Sequence, residues 1–256
     1  MEDDSKLCSE YEYYYNIASA VKTIQLIELL VQGNGELSVT EIARALDTHT
    51  SSADRYLLTL QNLGYAEKNP RDGKFRMSDK LIMLNNKLIA NHPLTTKYLD
   101  VMHTLAYEFD TTAHIMSFFK NETITLHKDL QTHNLSFNKA FFDPTRYHYC
   151  SAPGKLLLST LSEEDLKEYF LKVRFIKFTK NTLASEKAVR ENLALIRSTG
   201  YSVHDEEWLP GNLTIAFPLC LNGEISGSLS LMCDISMKDR MLSPSTIAYI
   251  KSKLGE

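Results

Sequence analysis

The chain has 256 residues, 43% of them hydrophobic and 23% charged, with a net charge of −4. That balance is ordinary for a globular protein, and the length allows two modest domains. No apolar run approaches the roughly 20 residues that cross a bilayer, and the acidic, aromatic opening MEDDSKLCSEYEYYY is neither a signal nor a transit peptide. A cytoplasmic location with no membrane partner is therefore expected. Cys8, Cys150, Cys220 and Cys233 lack paired metal-type spacing. They read as reduced, mostly buried thiols, with no metal site and no disulfide framework.

Residues 1 to about 15 read as a flexible or partner-docking extension. Ile17 to Gln32 is a helix with a broad apolar face of Ile17, Val21, Ile24, Leu26, Ile27, Leu30 and Val31, stopped by Gly33-Asn34-Gly35. Leu37 to Gly64 then gives two short helices. The first is capped by Ser38 or Thr40, has Glu41 at its positive end, and buries Ile42, Ala43 and Leu46. After a turn at Asp47-Thr48-His49, the second is capped near Thr50-Ser51 and buries Ala53, Tyr56 or Leu57, and Leu60, before Gly64 stops it. This is the spacing of a helix-turn-helix, whose second helix can enter a DNA major groove.

Tyr65 to Lys68 and Lys74 to Met77 read as paired strands around the turn cluster Asn69-Pro70-Arg71-Asp72-Gly73. A helix-turn-helix followed by a hairpin is a winged helix. Between Val21 and Lys80 the bases Lys22, Arg44, Arg55, Lys68, Arg71, Lys74, Arg76 and Lys80 are matched in number by the acids Glu28, Glu36, Glu41, Asp47, Asp54, Glu67, Asp72 and Asp79. Counterion release must then come from a local patch, and weak binding per subunit calls for a homodimer or homotetramer.

Ser78-Asp79-Lys80 opens a further helix, to about Asn91, that could link domains or pair with its copy. Its apolar residues are Leu81, Ile82, Leu84, Leu88 and Ile89, and Pro93 ends it. Leu94 to Phe109 is helical. Thr112–Phe119 and Thr123–Asp129 read as strands, and Ser136 to Tyr149, with Pro144, as irregular. Helices follow at Ser151–Leu161, after a capping box at Ser162-Glu163-Glu164-Asp165, and at Ser185–Thr199, closed by Gly200. Strands at Tyr201–Asp205, Leu213–Leu219 and Glu224–Met232 follow, with a tight turn at Asn222-Gly223 and a last helix from Ser243-Pro244. The second half is thus α+β, an antiparallel sheet flanked by helices.

Four stretches, in this order, resemble the IclR family of bacterial transcriptional regulators. They are LSVTEIARAL with SSADRYLLTLQNLGYAEKNPRDGKFRMS, the interdomain helix, YCSAPGKLLLSTLSEEDL, and IRSTGYSVHDEEWLPGNLTIAFPLCLNGEISGSLSLM. The resemblance implies a winged helix at 16–79, a linker helix at 80–92 and a GAF-like effector domain at 93–256. It implies a regulator, expected to be a repressor, that binds double-stranded operator DNA as a dimer or tetramer and answers to a small-molecule effector, with no cofactor.

For DNA, the candidates are Thr50, Ser51, Ser52 and Arg55 on the second helix, where short hydroxyls and an arginine can meet phosphate or base edges. Arg71, Lys74 and Arg76 on the wing could meet the backbone or a minor groove. The competing readings are capping for the hydroxyls, an internal salt bridge for Arg55 and a solvated turn for the wing. Asp54 would repel phosphate, although it could accept from a cytosine amino group.

For the effector, the positions that match the family's pocket are Cys150, Ser151, Ala152 and Gly154 at a helix start, and His204, Thr214, Ser230 and Met232 on late strands. The helix start would suit a carboxylate. Where relatives responsive to glyoxylate or pyruvate carry acid, thiol and hydroxyl groups, only Ser230 keeps the hydroxyl. A different effector is implied, a carboxylate or aromatic metabolite. The competing reading is a filled core.

Three other readings compete with this one. Asp205-Glu206-Glu207 near Cys150 and His204 could mimic a catalytic site, but the run more simply ends a strand and pairs with lysine or arginine, so no enzyme is expected. A methyltransferase would need a glycine-rich cofactor loop, and none follows Pro93. A sensor or adaptor whose winged helix no longer binds DNA stays open as the alternative.

Overall fold

The computed structural model describes residues 16–32, 36–130 and 147–255. The N-terminal extension with Cys8, the Gly33-Asn34-Gly35 stop, and residues 131–146 with Pro144 lie outside the described residues. The chain divides into two compact units, one ending at Leu88 and one beginning at Ile89.

The first unit is a winged helix: α1 (Ala18–Gln32), α2 (Val39–Ala45), α3 (Thr50–Asn62), and the antiparallel pair β1 (Ala66–Lys68) and β2 (Phe75–Met77). Ser38 caps α2 through a full capping box, its hydroxyl accepting from the Glu41 amide while the Glu41 carboxylate accepts from the Ser38 amide. Leu26, Leu30, Ile42, Ala43, Leu46, Ala53, Leu57, Leu60, Ala66 and Phe75 form its core. The face of α1 is narrower than its sequence suggests. Leu26 and Leu30 are buried, whereas Ile17, Val21, Ile24 and Val31 are exposed. So small a unit has only one stripe of contacts to offer this helix. The next helix, α4 (Lys80–Ala90), buries no residue, leaving Ile82, Met83 and Leu88 in the open.

The second unit begins with α5 (Pro93–Phe109), where Pro93 both ends α4 and occupies the first helical position. Five antiparallel strands follow: β3 (Thr112–Phe119), β4 (Glu122–Asp129), β5 (Ser202–Asp205), β6 (Asn212–Leu221) and β7 (Glu224–Asp234), in the spatial order β4-β3-β7-β6-β5. Lys120-Asn121 and Asn222-Gly223, all at positive φ, make the two tight hairpin turns. Between β4 and β5 run a 3₁₀ turn (His148–Cys150), α6 (Ala152–Thr160), α7 (Glu163–Lys172) and α8 (Glu186–Thr199). Ser162 caps α7 at Asp165, although its return contact is to the Asp165 carboxylate rather than a backbone amide. A short 3₁₀ turn (Ile235–Met237) and α9 (Lys238–Met241), neither visible in the sequence pattern, precede α10 (Pro244–Leu254).

Residues directly opposite each other across this sheet share a face. One face carries Ala113, Ile115, Leu213, Ile215, Phe217, Leu229 and Leu231, packed with Leu94, Met102 and Leu105 of α5 and Ile250 of α10. The other face, against which α6 packs, carries the candidate site.

Candidate functional site

The recognition helix begins differently from its expected cap. The residue in the capping position is His49, extended and without a side-chain cap bond, and its carbonyl accepts from Ser52 and Ala53. Thr50 and Ser51 are therefore inside the first turn, and their hydroxyls have no capping role. The shift arises because Asp47 adopts a left-handed conformation (φ 46), which completes the turn early. Thr50 and Ser51 are exposed at this helix start and Ser52 is half-buried. Arg55 lies one turn on, is exposed, and makes no ion pair among the described residues, so the internal salt bridge is not formed.

The wing is shaped by its own short side chains. Asn69 Oδ1 accepts from the Arg71 amide at 3.0 Å, Asp72 Oδ1 accepts from the Lys74 amide at 3.0 Å, and Gly73 takes φ +74. Arg71 stands at the tip. Arg76 is held across the hairpin by Glu67 at 3.0 Å, an exposed pair that a phosphate could displace at small cost.

In the second unit the register collects the strand candidates. His204, Thr214, Met232 and Thr112 lie side by side across β5, β6, β7 and β3. The adjoining row is Ser202, Ala216, Ser230 and His114, and Ser228 lies opposite Met116 and Pro218 in the row beyond. His204, Ser230, Ser202 and Ser228 are almost wholly buried. Even so, His114 Nε2, Ser202 Oγ, His204 Nδ1, Ser228 Oγ and Ser230 Oγ have no hydrogen-bond partner among the described residues. Native interiors rarely leave such groups unpaired, because each costs about 1–3 kcal/mol.

The charge states follow from burial. Burial, helped by the Lys155 ammonium, pushes His204 down to about 3, and burial helped by Lys128 pushes His114 down to about 4. Both imidazoles are neutral at pH 7. The Trp208 amide donates to His204 Nε2 at 3.2 Å, which assigns the ring proton to Nδ1.

The helix-start candidates are more self-satisfied. The Ser151 hydroxyl accepts from the Gly154 amide at 3.2 Å, and Pro153 has no amide proton. Gly154 is fixed by close approach, since a Cβ there would lie 2.4 Å from the His148 Cα. Cys150 is buried, with its thiol pushed up to about 12 by burial and then by Glu207, which makes it a poor nucleophile. Ala152 is buried in the first turn of α6.

The acidic run ends β5 as expected, with varied partners. Asp205 accepts from Lys238 at 2.6 Å, and Glu206 (φ 53) accepts from the Gly211 amide at 2.7 Å. Glu207 forms a buried ion pair with Lys155, whose ammonium also donates to the Val203 carbonyl at 2.6 Å. Burial pushes the Glu207 carboxyl up while Lys155 opposes it. Sequence reasoning missed His114, Ser202, Ser228 and Lys155, while Glu207 was expected to pair with a lysine or arginine and does so with Lys155. The alternation Ser228-Leu229-Ser230-Leu231 was the available signal, with hydroxyls on one face and leucines on the other.

Residues 86–253 match the family described as "Bacterial transcriptional regulator IclR C-terminal", and residues 19–70 match the "IclR helix-turn-helix domain". The chain belongs to the IclR family of bacterial transcriptional regulators. As a member it is a DNA-binding transcriptional regulator. It is 28% identical over 235 residues to the HTH-type transcriptional regulator BhcR of Paracoccus denitrificans, covering 90% of this chain and 83% of that one. It is 24% identical over 229 residues to the transcriptional repressor IclR of Escherichia coli, covering 85% and 82%. An IclR homolog from Microbacterium hydrocarbonoxydans, solved in complex with 4-hydroxybenzoate, shares the fold with a TM-score of 0.71 at 18% identity, over 93% of this chain and 96% of that one. A transcriptional regulator from Rhodococcus sp. RHA1 does so with a TM-score of 0.70 at 17% identity, over 93% and 97%.

Proposed function

We propose that this IclR-family regulator reads an operator with Thr50, Ser51, Ser52 and Arg55 on α3 and with Arg71, Lys74 and Arg76 on the wing. We further propose that its operator affinity is set by a small molecule held on the polar face of the C-terminal sheet. The observation that carries the second part is the row of buried, unpaired polar atoms on β3, β5 and β7 beneath α6. His204, Thr214, Ser230 and Met232 form the floor. Cys150, Ser151, Ala152 and Gly154 form the wall at the start of α6. The relative complexed with 4-hydroxybenzoate supports an effector of that size, a carboxylate or aromatic metabolite. Relatives named as repressors support the same sign here.

A dimer or tetramer is part of this reading. The winged-helix region carries no excess of positive charge, so paired half-sites must supply affinity by avidity. The exposed apolar residues of α1 and of α4 support self-association through one or both helices. Effector binding then biases the spacing of paired winged helices, to an extent capped by its differential affinity for the two states.

Fluorescence anisotropy of the full chain with DNA from immediately upstream of its own gene, across a salt series, tests the DNA half. Binding should exceed that to scrambled DNA, and Arg55→Ala should weaken it by about 10- to 100-fold while ligand binding persists. Purely non-specific binding by a folded oligomer, with metabolite extract present as well as absent, would favour the sensor or adaptor reading. Joint loss of DNA and ligand binding in Arg55→Ala would contradict the division of labour.

A further inference from the structure

We propose that the effector is a small carboxylate whose acid group is read at the β4–β3–β7 side of the polar face, by Lys128, His114 and Ser230. This rests on the polar face being the effector site. Lys128, His114 and Ser230 are consecutive cross-strand neighbours, in register on β4, β3 and β7, about 5 Å apart from strand to strand. His114 Nε2 and Ser230 Oγ are buried and have no partner among the described residues. Lys128 stands exposed on the edge strand, and no acid among the described residues pairs with it. One carboxylate can join all three. It pairs with the ammonium and accepts from the hydroxyl and the imidazole N–H, bonds of the charge-assisted kind.

Two other places that could attract an anion on this face, Lys155 and the start of α6, are engaged by groups of the chain itself. Lys155, the second lysine here, is neutralised by Glu207. At the start of α6, Pro153 has no N–H, the Gly154 amide is taken by Ser151, and the Ser151 amide reaches back to the His148 carbonyl at 3.4 Å. That leaves the Ala152 amide alone, which is a poor cradle for a full negative charge. His204, across the sheet on β5, is left to the remainder of the molecule.

The test is isothermal titration of the full-length protein with pyruvate, benzoate and D-gluconate, each beside its neutral amide. At least one acid should bind, with its amide about tenfold weaker or worse. Lys128→Ala, at an exposed position where folding is not at risk, should weaken the acid by about tenfold or more and leave the amide unchanged. Lys128→Arg should keep most of the affinity.

Equal binding of acid and amide would overturn the proposal. So would acid binding that Ser230→Ala abolishes but Lys128→Ala does not touch, an outcome that leaves the polar face standing as the effector site. Acid binding indifferent to Lys128→Ala, Ser230→Ala and His204→Ala alike would overturn both, as would silence from the whole panel.

Discussion

The two faces of the C-terminal sheet are made from the same strands, yet they are built in opposite ways. Along β7, Leu229 and Leu231 sink into a core with Phe217, Leu105 and Ile250, while Ser228 and Ser230, one residue out of phase, hold hydroxyls that find no partner among the described residues. The apolar face is where stability resides. The polar face spends some of it on buried polar groups without partners among the described residues, and it is there that we propose a ligand's polar groups bind.

The comparison is sharpest in its stability consequences. Phe217→Ala, on the apolar face, should cost about 3–5 kcal/mol in urea unfolding of the protein. A cost below 1 kcal/mol would mean that this face is not the core.

Next in size is a pH effect from the polar face. The unfolded chain binds a proton at His204 near pH 6.5, whereas the folded chain refuses it until about pH 3. Stability should therefore be insensitive to this group above pH 6.5 and fall by about 1.4 kcal/mol per pH unit below it, reaching about 2 kcal/mol by pH 5. His204→Gln should remove this contribution and leave the one that His114, held down to about 4, makes over the same range. An unchanged slope in the variant would show that the imidazole is not held neutral by burial.

The smallest effect is the most telling. Ser230→Ala should change stability by no more than about 0.5 kcal/mol, or raise it, because it removes a buried hydroxyl that has no partner to lose. A loss above about 1.5 kcal/mol would mean that Ser230 is satisfied within the fold, and the contrast between the faces would weaken.

Much of the fold was legible because its signals are local. Ser38 and Glu41 announce a capping box, Gly200 and Gly64 end helices at positive φ, and Asn222-Gly223 dictates a tight hairpin. The start of α3 was misjudged by one residue because Thr50 and Ser51 are good caps in isolation, while the turn geometry at Asp47 hands the position to His49. The apolar stripe of α1 could not reveal that its neighbours bury Leu26 and Leu30, half-cover Ile27 and Leu29, and leave Ile17, Val21, Ile24 and Val31 exposed.

The site was less legible than the fold. His204, Thr214, Ser230 and Met232 were found through resemblance, and the register then placed them on one face. His114 lies more than 100 residues from Ser230 in the chain, yet sits directly across from it. Lys155 and Glu207 meet only because α6 crosses the end of β5. Long-range pairing of this kind leaves no periodic trace in either segment.

The central claim is that the polar face governs DNA binding. The most direct test measures anisotropy on the upstream DNA with and without the tightest-binding acid of the titration panel, for the wild type and for the combined His204→Ala, Ser230→Ala variant. The account predicts equal DNA affinity for both proteins without the acid, and an acid-dependent shift in the wild type alone. An equal shift in both would contradict it.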